Sequence, residues 1–246
     1  MLRLRIAIFI EASSLRHIQT CCPTFFTYPP YLLPVYVLST MVSDTVIVLD
    51  FETTGHSPTL GDRPIEVGAV RIEQGMIVDR FQALMNPGFT ISWFIESLTG
   101  ISNELVAAAP ECEAVMHRFA DWIGDVPLVA HNANFDRKFL DAELARIGRE
   151  RTNPMACTVL ASRRLFPEAP DHRLSTLVSY LNIATSGTFH RALADAEMTG
   201  SLWILLIDLL RDRYGLTDIS FSLMHKISTM SRYKVHKFLQ QYGATH

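Results

Sequence analysis

The first strong apolar run in the body of the chain is Val46-Ile47-Val48-Leu49, which ends in Asp50, Phe51 and Glu52 and is broken by Thr53-Thr54-Gly55. A short apolar run bounded by turn residues reads as a buried strand. A polar loop, His56 to Arg63, follows it. Ile65, Val67, Ala69, Val70 and Ile72 then mark a second strand over Pro64 to Ile72, and Met76 to Met85 reads as a third. Only Gln74-Gly75 separates these two, so they form an antiparallel hairpin. Asn86-Pro87-Gly88 closes it.

Beyond the hairpin the spacing becomes helical. Ile91 to Leu98 and Asn103 to Ala108 read as short helices joined at Thr99-Gly100. Glu111 to Ile123 is amphipathic, with Val115, Phe119, Trp122 and Ile123 inward. Leu128-Val129-Ala130 is a short buried strand leading into His131-Asn-Ala-Asn-Phe-Asp136 and a helix to about Ile147, with Asn134 as its cap. Ala156 to Phe166 and Leu174 to Leu181 read as helices, with Pro167 and Pro170 between them. Thr185-Ser-Gly187 is a loop. A long helix opens at His190-Arg-Ala-Leu-Ala-Asp-Ala-Glu197 and runs to about Leu210.

Both ends of the chain depart from this pattern. The apolar run Leu2 to Ile10 carries Arg3 and Arg5, and no clear cleavage site follows it. The run Tyr31 to Leu38 contains Pro34 and is too short to span a bilayer. Met41 stands just before the first strand. The break in composition predicts an N-terminal extension over 1–40, disordered or untranslated, with translation starting at Met41. A folded domain over 41–212 and a basic tail over 213–246 follow. The tail carries Arg213, Lys226, Arg232, Lys234 and Lys237 against Asp218 alone, a balance of 5 − 1 = +4. It reads as a solvated helical appendage, with a nucleic-acid contact or a docking segment as the alternatives.

The 246 residues are 48% apolar, enough for a sizeable core, and the net charge of −3 gives no global basic field. That does not exclude nucleic acid, because a local patch or bound metal can serve a small substrate. Cys21, Cys22, Cys112 and Cys157 form no C-x-x-C pair, so they read as free or buried thiols in a reducing cytoplasm. There is no Gly-rich phosphate loop and no G-x-S-x-G.

The candidate chemistry lies in acids. Asp50 and Glu52 alternate with Phe51 on a strand and so share one face. No Lys or Arg lies between Met41 and Asp62 to neutralise them. A bound cation is the local counter-charge; the alternative is a strand end with two solvated acids. Asp136 falls at the helical azimuth of Phe139 and Leu140, which points it inward, although an acid in a first turn also suits the helix dipole. Asp195 shares a stripe with Leu202 and Leu206, and Ala192, Ala194 and Ala196 let that helix approach a sheet closely. His190 stands just before it, as a base or as an ordinary cap or surface residue. Four inward carboxylates packed together would repel one another. Hard divalent cations, Mg²⁺ or Mn²⁺, turn them into ligands, and two such ions clamp an in-line phosphoryl displacement. His190 is of the right residue type for the base.

Three segments also carry a resemblance. Asp50-Phe-Glu-Thr-Thr-Gly55, His131-Asn-Ala-Asn-Phe-Asp136 and His190-Arg-Ala-Leu-Ala-Asp195 resemble, in order, the three motifs of the DnaQ-like, DEDDh-type 3′–5′ exonuclease superfamily. That superfamily includes the proofreading epsilon subunit of bacterial DNA polymerase III. Leu98-Thr-Gly-Ile-Ser-Asn-Glu104 resembles the segment these enzymes carry after the hairpin. The likeness covers roughly 44 to 210. It implies an α/β, ribonuclease-H-like fold, a mixed five-stranded sheet flanked by helices, which the strand–hairpin–helix–strand–helix order fits. It implies metal ligation by Asp50, Glu52, Asp136 and Asp195, two divalent cations, and His190 as general base. Thr53 and Thr54 would meet the terminal nucleotide, with His131 and Asn132 as further substrate contacts, and Glu197 would be structural. The implied substrate is a DNA 3′ end, single-stranded or frayed, with an RNA 3′ end as the alternative. A DNA polymerase partner, a stand-alone nuclease and a non-catalytic binding subunit remain open; no membrane association is expected.

Overall fold

In the computed structural model, residues 44–185 and 190–243 are described. The N-terminal extension, with Cys21, Cys22 and Met41, lies outside them, as do Ser186 and Gly187 of the predicted loop.

The sheet has five strands in the order β3-β2-β1-β4-β5: β1 (Val46–Thr53), β2 (Pro64–Glu73), β3 (Met76–Leu84), β4 (Leu128–Ala130) and β5 (Met155–Cys157). The hairpin strands β2 and β3 are antiparallel, as is the β1–β2 pair, while β1–β4 and β4–β5 are parallel. The sheet is therefore mixed, with β1 at its centre.

The helices are α1 (Trp93–Thr99), α2 (Asn103–Ala108), α3 (Cys112–Ile123), α4 (Ala133–Arg146), α5 (Thr158–Leu165), α6 (Leu174–Tyr180), α7 (Ala192–Tyr214), α8 (Phe221–Thr229) and α9 (Arg232–Gly243). They cover both faces. Ile47, Leu49 and Phe51 of β1 pack with Phe119 of α3 and Phe139 and Leu140 of α4. Val46 and Val48 pack with Leu202, Leu206 and Leu210 of α7 and with residues of α5, α8 and α9. The strict alternation of a strand thus sends Asp50 and Glu52 to the side of α7.

Three features differ from the sequence reading. β5 (Met155–Cys157) runs into the start of the helix expected from Ala156. Three residues are too few to show a strand period, and only parallel pairing of Leu128, Val129 and Ala130 with Met155, Ala156 and Cys157 defines it. The cap of α4 is Asn132, with left-handed backbone (φ 68°), while Asn134 is inside the first turn and accepts from Arg137. The tail helices are not a solvated appendage. Phe221, Leu223, Met224, Ile227, Val235 and Leu239 are buried in the same core as α7.

Candidate active site

The site forms where β1 ends and where α4 and α7 begin. Its position follows from a close approach. Gly68 pairs with Asp50 across β1–β2, and a Cβ there would fall 2.1 Å from the Leu193 nitrogen. Only glycine lets the first turn of α7 rest on the sheet beside Asp50. Ala192 and Ala196 are fully buried in that contact. A break in register between Glu52 and Thr53 then shifts the pairing by one residue before Thr53 meets Pro64, as bulges beside functional sites do.

Asp50, Glu52 and Asp195 converge, each offering a carboxylate oxygen within 4.8 Å of the others. Asp136 stands beside this trio as a buried residue whose Oδ1 accepts the Phe51 N–H at 3.2 Å. That bond ties the start of α4 to the strand between the two β1 acids. Asp195 Oδ2 accepts the His190 N–H at 2.9 Å. All four carboxyls are held above their ordinary range. Burial and then Asp136, Glu52 and Asp195 raise Asp50. Burial and then Asp195, Glu66 and Asp136 push Glu52 up to about 8, against a smaller opposing effect of Arg191. Burial lifts Asp136 to about 7, against its backbone hydrogen bonds. Burial also raises Asp195, opposed first by the His190 N–H. Hard oxygen donors, crowded and short of positive charge, fit divalent cations.

His190 has left-handed backbone (φ 67°) and an exposed side chain. Histidine is among the residues enriched in that conformation. The turn aims its N–H at Asp195 and leaves the imidazole facing solvent at the rim.

The residues expected to meet substrate are placed unequally. Thr53 is buried and its hydroxyl donates to the Gly55 carbonyl at 2.6 Å. The Thr54 hydroxyl donates to Asp62 and accepts the Arg63 N–H. Both side chains shape the loop, so what they offer outward is backbone. Asn132 is exposed at the tip before α4. His131 is committed internally. Burial lowers it to about 4, so it is neutral. Its Nε2–H donates to the His172 carbonyl at 3.0 Å, and Nδ1 accepts the Thr158 hydroxyl at 2.9 Å. Neither ring nitrogen is left for a nucleotide. Glu197 holds Arg80 at 2.7 Å.

Sequence reasoning missed two supports. Glu66 is fully buried and accepts from Gln82, the Arg191 guanidinium and the Ala192 N–H. The signal was one acid inside the apolar strand Ile65-Glu66-Val67. Arg63 links the β1–β2 loop to buried Glu143 through Nε and Nη2, and to Glu113.

Known proteins share this architecture. The PolC-type DNA polymerase III of Bacillus cereus is 41% identical over 173 residues, covering 70% of this chain and 12% of that polymerase. Its counterpart from Oceanobacillus iheyensis is 44% identical over 168 residues, 68% of this chain and again 12% of the polymerase. The chain thus spans about an eighth of these relatives. Among solved structures, Exonuclease X in complex with 5′ overhanging duplex DNA superposes with a TM-score of 0.59 at 26% identity, over 74% of this chain and 99% of that one. The nuclease domain of 3′hExo, a DEDDh family member bound to rAMP, gives 0.58 at 22%, over 67% and 92%, and supports the fold. The profile of the RNase_T exonuclease family matches residues 47–202, which span β1 through most of α7. The chain belongs to this exonuclease family, as a DnaQ-like 3′–5′ exonuclease of ribonuclease-H-like fold.

Proposed function

We propose that the protein hydrolyses the terminal phosphodiester at the 3′ end of single-stranded or frayed DNA and releases nucleoside 5′-monophosphates one at a time. The observation that carries this reading is the convergence of Asp50, Glu52 and Asp195 beside buried Asp136, with exposed His190 at the rim. Asp50, Glu52, Asp136 and Asp195 would hold two divalent cations, Mg²⁺ or Mn²⁺. Such ions activate water and neutralise charge on the phosphate and the departing oxygen. His190 takes the proton of the attacking water. Water oxygen bonds to phosphorus, the bond to the preceding 3′ oxygen breaks, and that oxygen is protonated as the new 3′ hydroxyl. The Asp195–His190 hydrogen bond fixes the turn carrying the base. The Phe51–Asp136 bond fixes α4 against the strand.

DNA is favoured because PolC-type DNA polymerases are 41% and 44% identical to this chain over the matched residues and Exonuclease X was captured on DNA. The DNA polymerase III name of the same relatives supports a role in proofreading or repair and a DNA polymerase partner, and a cytoplasmic location is part of this proposal. Among the described residues no helix is long and apolar enough to cross a membrane. The test is digestion of matched 5′-labelled DNA and RNA strands with Mg²⁺ or Mn²⁺, with the released mononucleotide identified. Faster loss of deoxynucleoside 5′-monophosphates is expected. Faster trimming of RNA would replace the substrate with an RNA 3′ end, and release of 3′-monophosphates would overturn the bond assignment.

A further inference from the structure

Among the described residues, most arginines outside the C-terminal helices have a carboxylate partner. Arg63, Arg80, Arg149, Arg151 and Arg191 each hold one. The far end of α7 is different. Residues 221–243 contain Lys226, Arg232, Lys234 and Lys237 and no Asp or Glu. All four are exposed, as are Arg163 at the end of α5 and Arg213 at the end of α7. None of the six makes an ion pair among the described residues. The acids nearest in sequence, Glu168, Asp212 and Asp218, pair with none of them.

Packing gathers these charges. Arg164 Nε donates to the Met230 carbonyl at 2.7 Å, which brings the end of α5 to the α8–α9 turn. Arg213 donates to the Leu165 carbonyl at 3.2 Å. The Lys226 ammonium lies 4.5 Å from the centre of the Phe238 ring, and Phe238 is one helical turn from Lys234. Tyr233 adds an aromatic ring at 80% exposure. Because Val235 and Leu239 anchor α9 in the core, the patch has a fixed shape rather than that of a loose tail. Uncompensated basic charge held rigidly beside exposed aromatic surface is the footprint of a polyanion site.

The site is separate from the catalytic one. Tyr214 closes α7, and its hydroxyl is 3.0 Å from His236 Nδ1 of α9. At the helical rise, the path from Asp195 to Tyr214 is about 28 Å. A strand with the per-strand rise of a duplex covers that distance in about eight nucleotides. The match to the exonuclease family ends at residue 202, before α8 begins.

We propose that the basic face of α8, α9 and the end of α5 binds the phosphate backbone of the strand whose 3′ end occupies the active site, upstream of the bond being cut. The inference rests on the nuclease reading above and adds a second contact to it. It makes affinity depend on length. A trinucleotide reaches only the catalytic end, whereas a 30-mer reaches both.

The test uses the full chain and the triple variant Arg232→Gln, Lys234→Gln, Lys237→Gln, whose native side chains are all exposed. Binding of a 5′-fluorescein 30-mer is followed by anisotropy in EDTA across a salt series. Hydrolysis of the 30-mer and a trinucleotide is followed with Mg²⁺. The variant is expected to bind the 30-mer about tenfold more weakly, with a salt slope shallower by about 2. Its kcat and its KM for the trinucleotide stay at wild-type values. A 30-mer Kd and salt slope equal to wild type overturn the proposal, and so does an equal loss on the trinucleotide. If the variant loses 30-mer affinity but the wild type cuts neither substrate, the nuclease reading fails while the strand-binding face stands.

Discussion

Glu52 and Glu66 are direct partners across the β1–β2 ladder, yet their carboxylates have opposite surroundings. Glu66 is saturated by Gln82, Arg191 and the Ala192 N–H. Glu52 faces other acids, and burial with their repulsion carries it up to about 8. One acid of the pair fastens α7 to the sheet. The other is left for a cation.

Glu66→Gln should therefore loosen the start of α7. It removes the charge that holds Arg191 and weakens the contact to Ala192. Loss of charge-assisted hydrogen bonds of this kind costs about 2 kcal/mol, measurable by urea unfolding. Activity should fall more than stability explains, with kcat reduced and the product unchanged.

Gly68→Ala tests the close approach of α7. A Cβ 2.1 Å from the Leu193 nitrogen cannot be accommodated without moving the helix. Overpacking costs about 1–3 kcal/mol, and a shift of about 1 Å in Asp195 can lower kcat about 100-fold. The check is kcat at saturating substrate on protein shown by circular dichroism to be folded.

The acidic cluster makes stability depend on pH and metal together. Glu52 rises from 4.5 to about 8 and Asp136 from 3.8 to about 7. A carboxyl raised on folding contributes stability that is fully present below its unfolded pKa and lost as pH rises through its folded value. Without divalent cation the protein should lose stability between about pH 4 and pH 8. A cation favours the ionised carboxylates, so the rise in Tm on adding Mg²⁺ or Mn²⁺ should grow from pH 5 to pH 8. Melting curves with EDTA and with metal give the comparison. A metal-induced rise that does not change with pH would count against these shifts.

Arg63 joins the loop after β1 to α3 and α4, and Glu143 beneath it is only 1% exposed. Removing Arg63 leaves the buried Glu143 carboxylate with only the longer contact to Arg146 at 3.4 Å, and breaking a buried pair is strongly destabilising. Arg63→Ala should cost about 3 kcal/mol in denaturant unfolding. Arg63 touches none of the four acids, and its backbone N–H, which Thr54 accepts, survives the substitution. Residual activity per folded molecule should therefore stay nearer to wild type than that of Gly68→Ala.

The strands were legible where they were long. The apolar run before Asp50 and the Gln74-Gly75 turn gave β1, β2 and β3 nearly to the residue. The alternation of β1 and the helical azimuths of Asp136 and Asp195 gave the inward direction of the acids. β5 was not legible, because pairing with β4 rather than its own pattern makes it a strand. The supports of the site escaped for a related reason. Glu66 and Gly68 act on Arg191, Ala192 and Leu193, more than 120 positions away, and nothing in local sequence marks that pairing. His131 shows the converse. Its motif position suggested substrate, while Thr158 and the His172 carbonyl occupy both ring nitrogens.

The central claim is that Asp50, Glu52, Asp136 and Asp195 form a cation-dependent centre that removes nucleotides from a 3′ end. The most direct measurement is the time course of a 5′-labelled single-stranded DNA with Mg²⁺, for the wild type and Asp50→Asn at equal folded concentration. The wild type should shorten the strand stepwise from its 3′ end and stop on addition of EDTA, while Asp50→Asn should be slower by about 1,000-fold or more, the scale of a lost transition-state charge partner. An Asp50→Asn rate equal to wild type, or shortening that continues in EDTA, would contradict it.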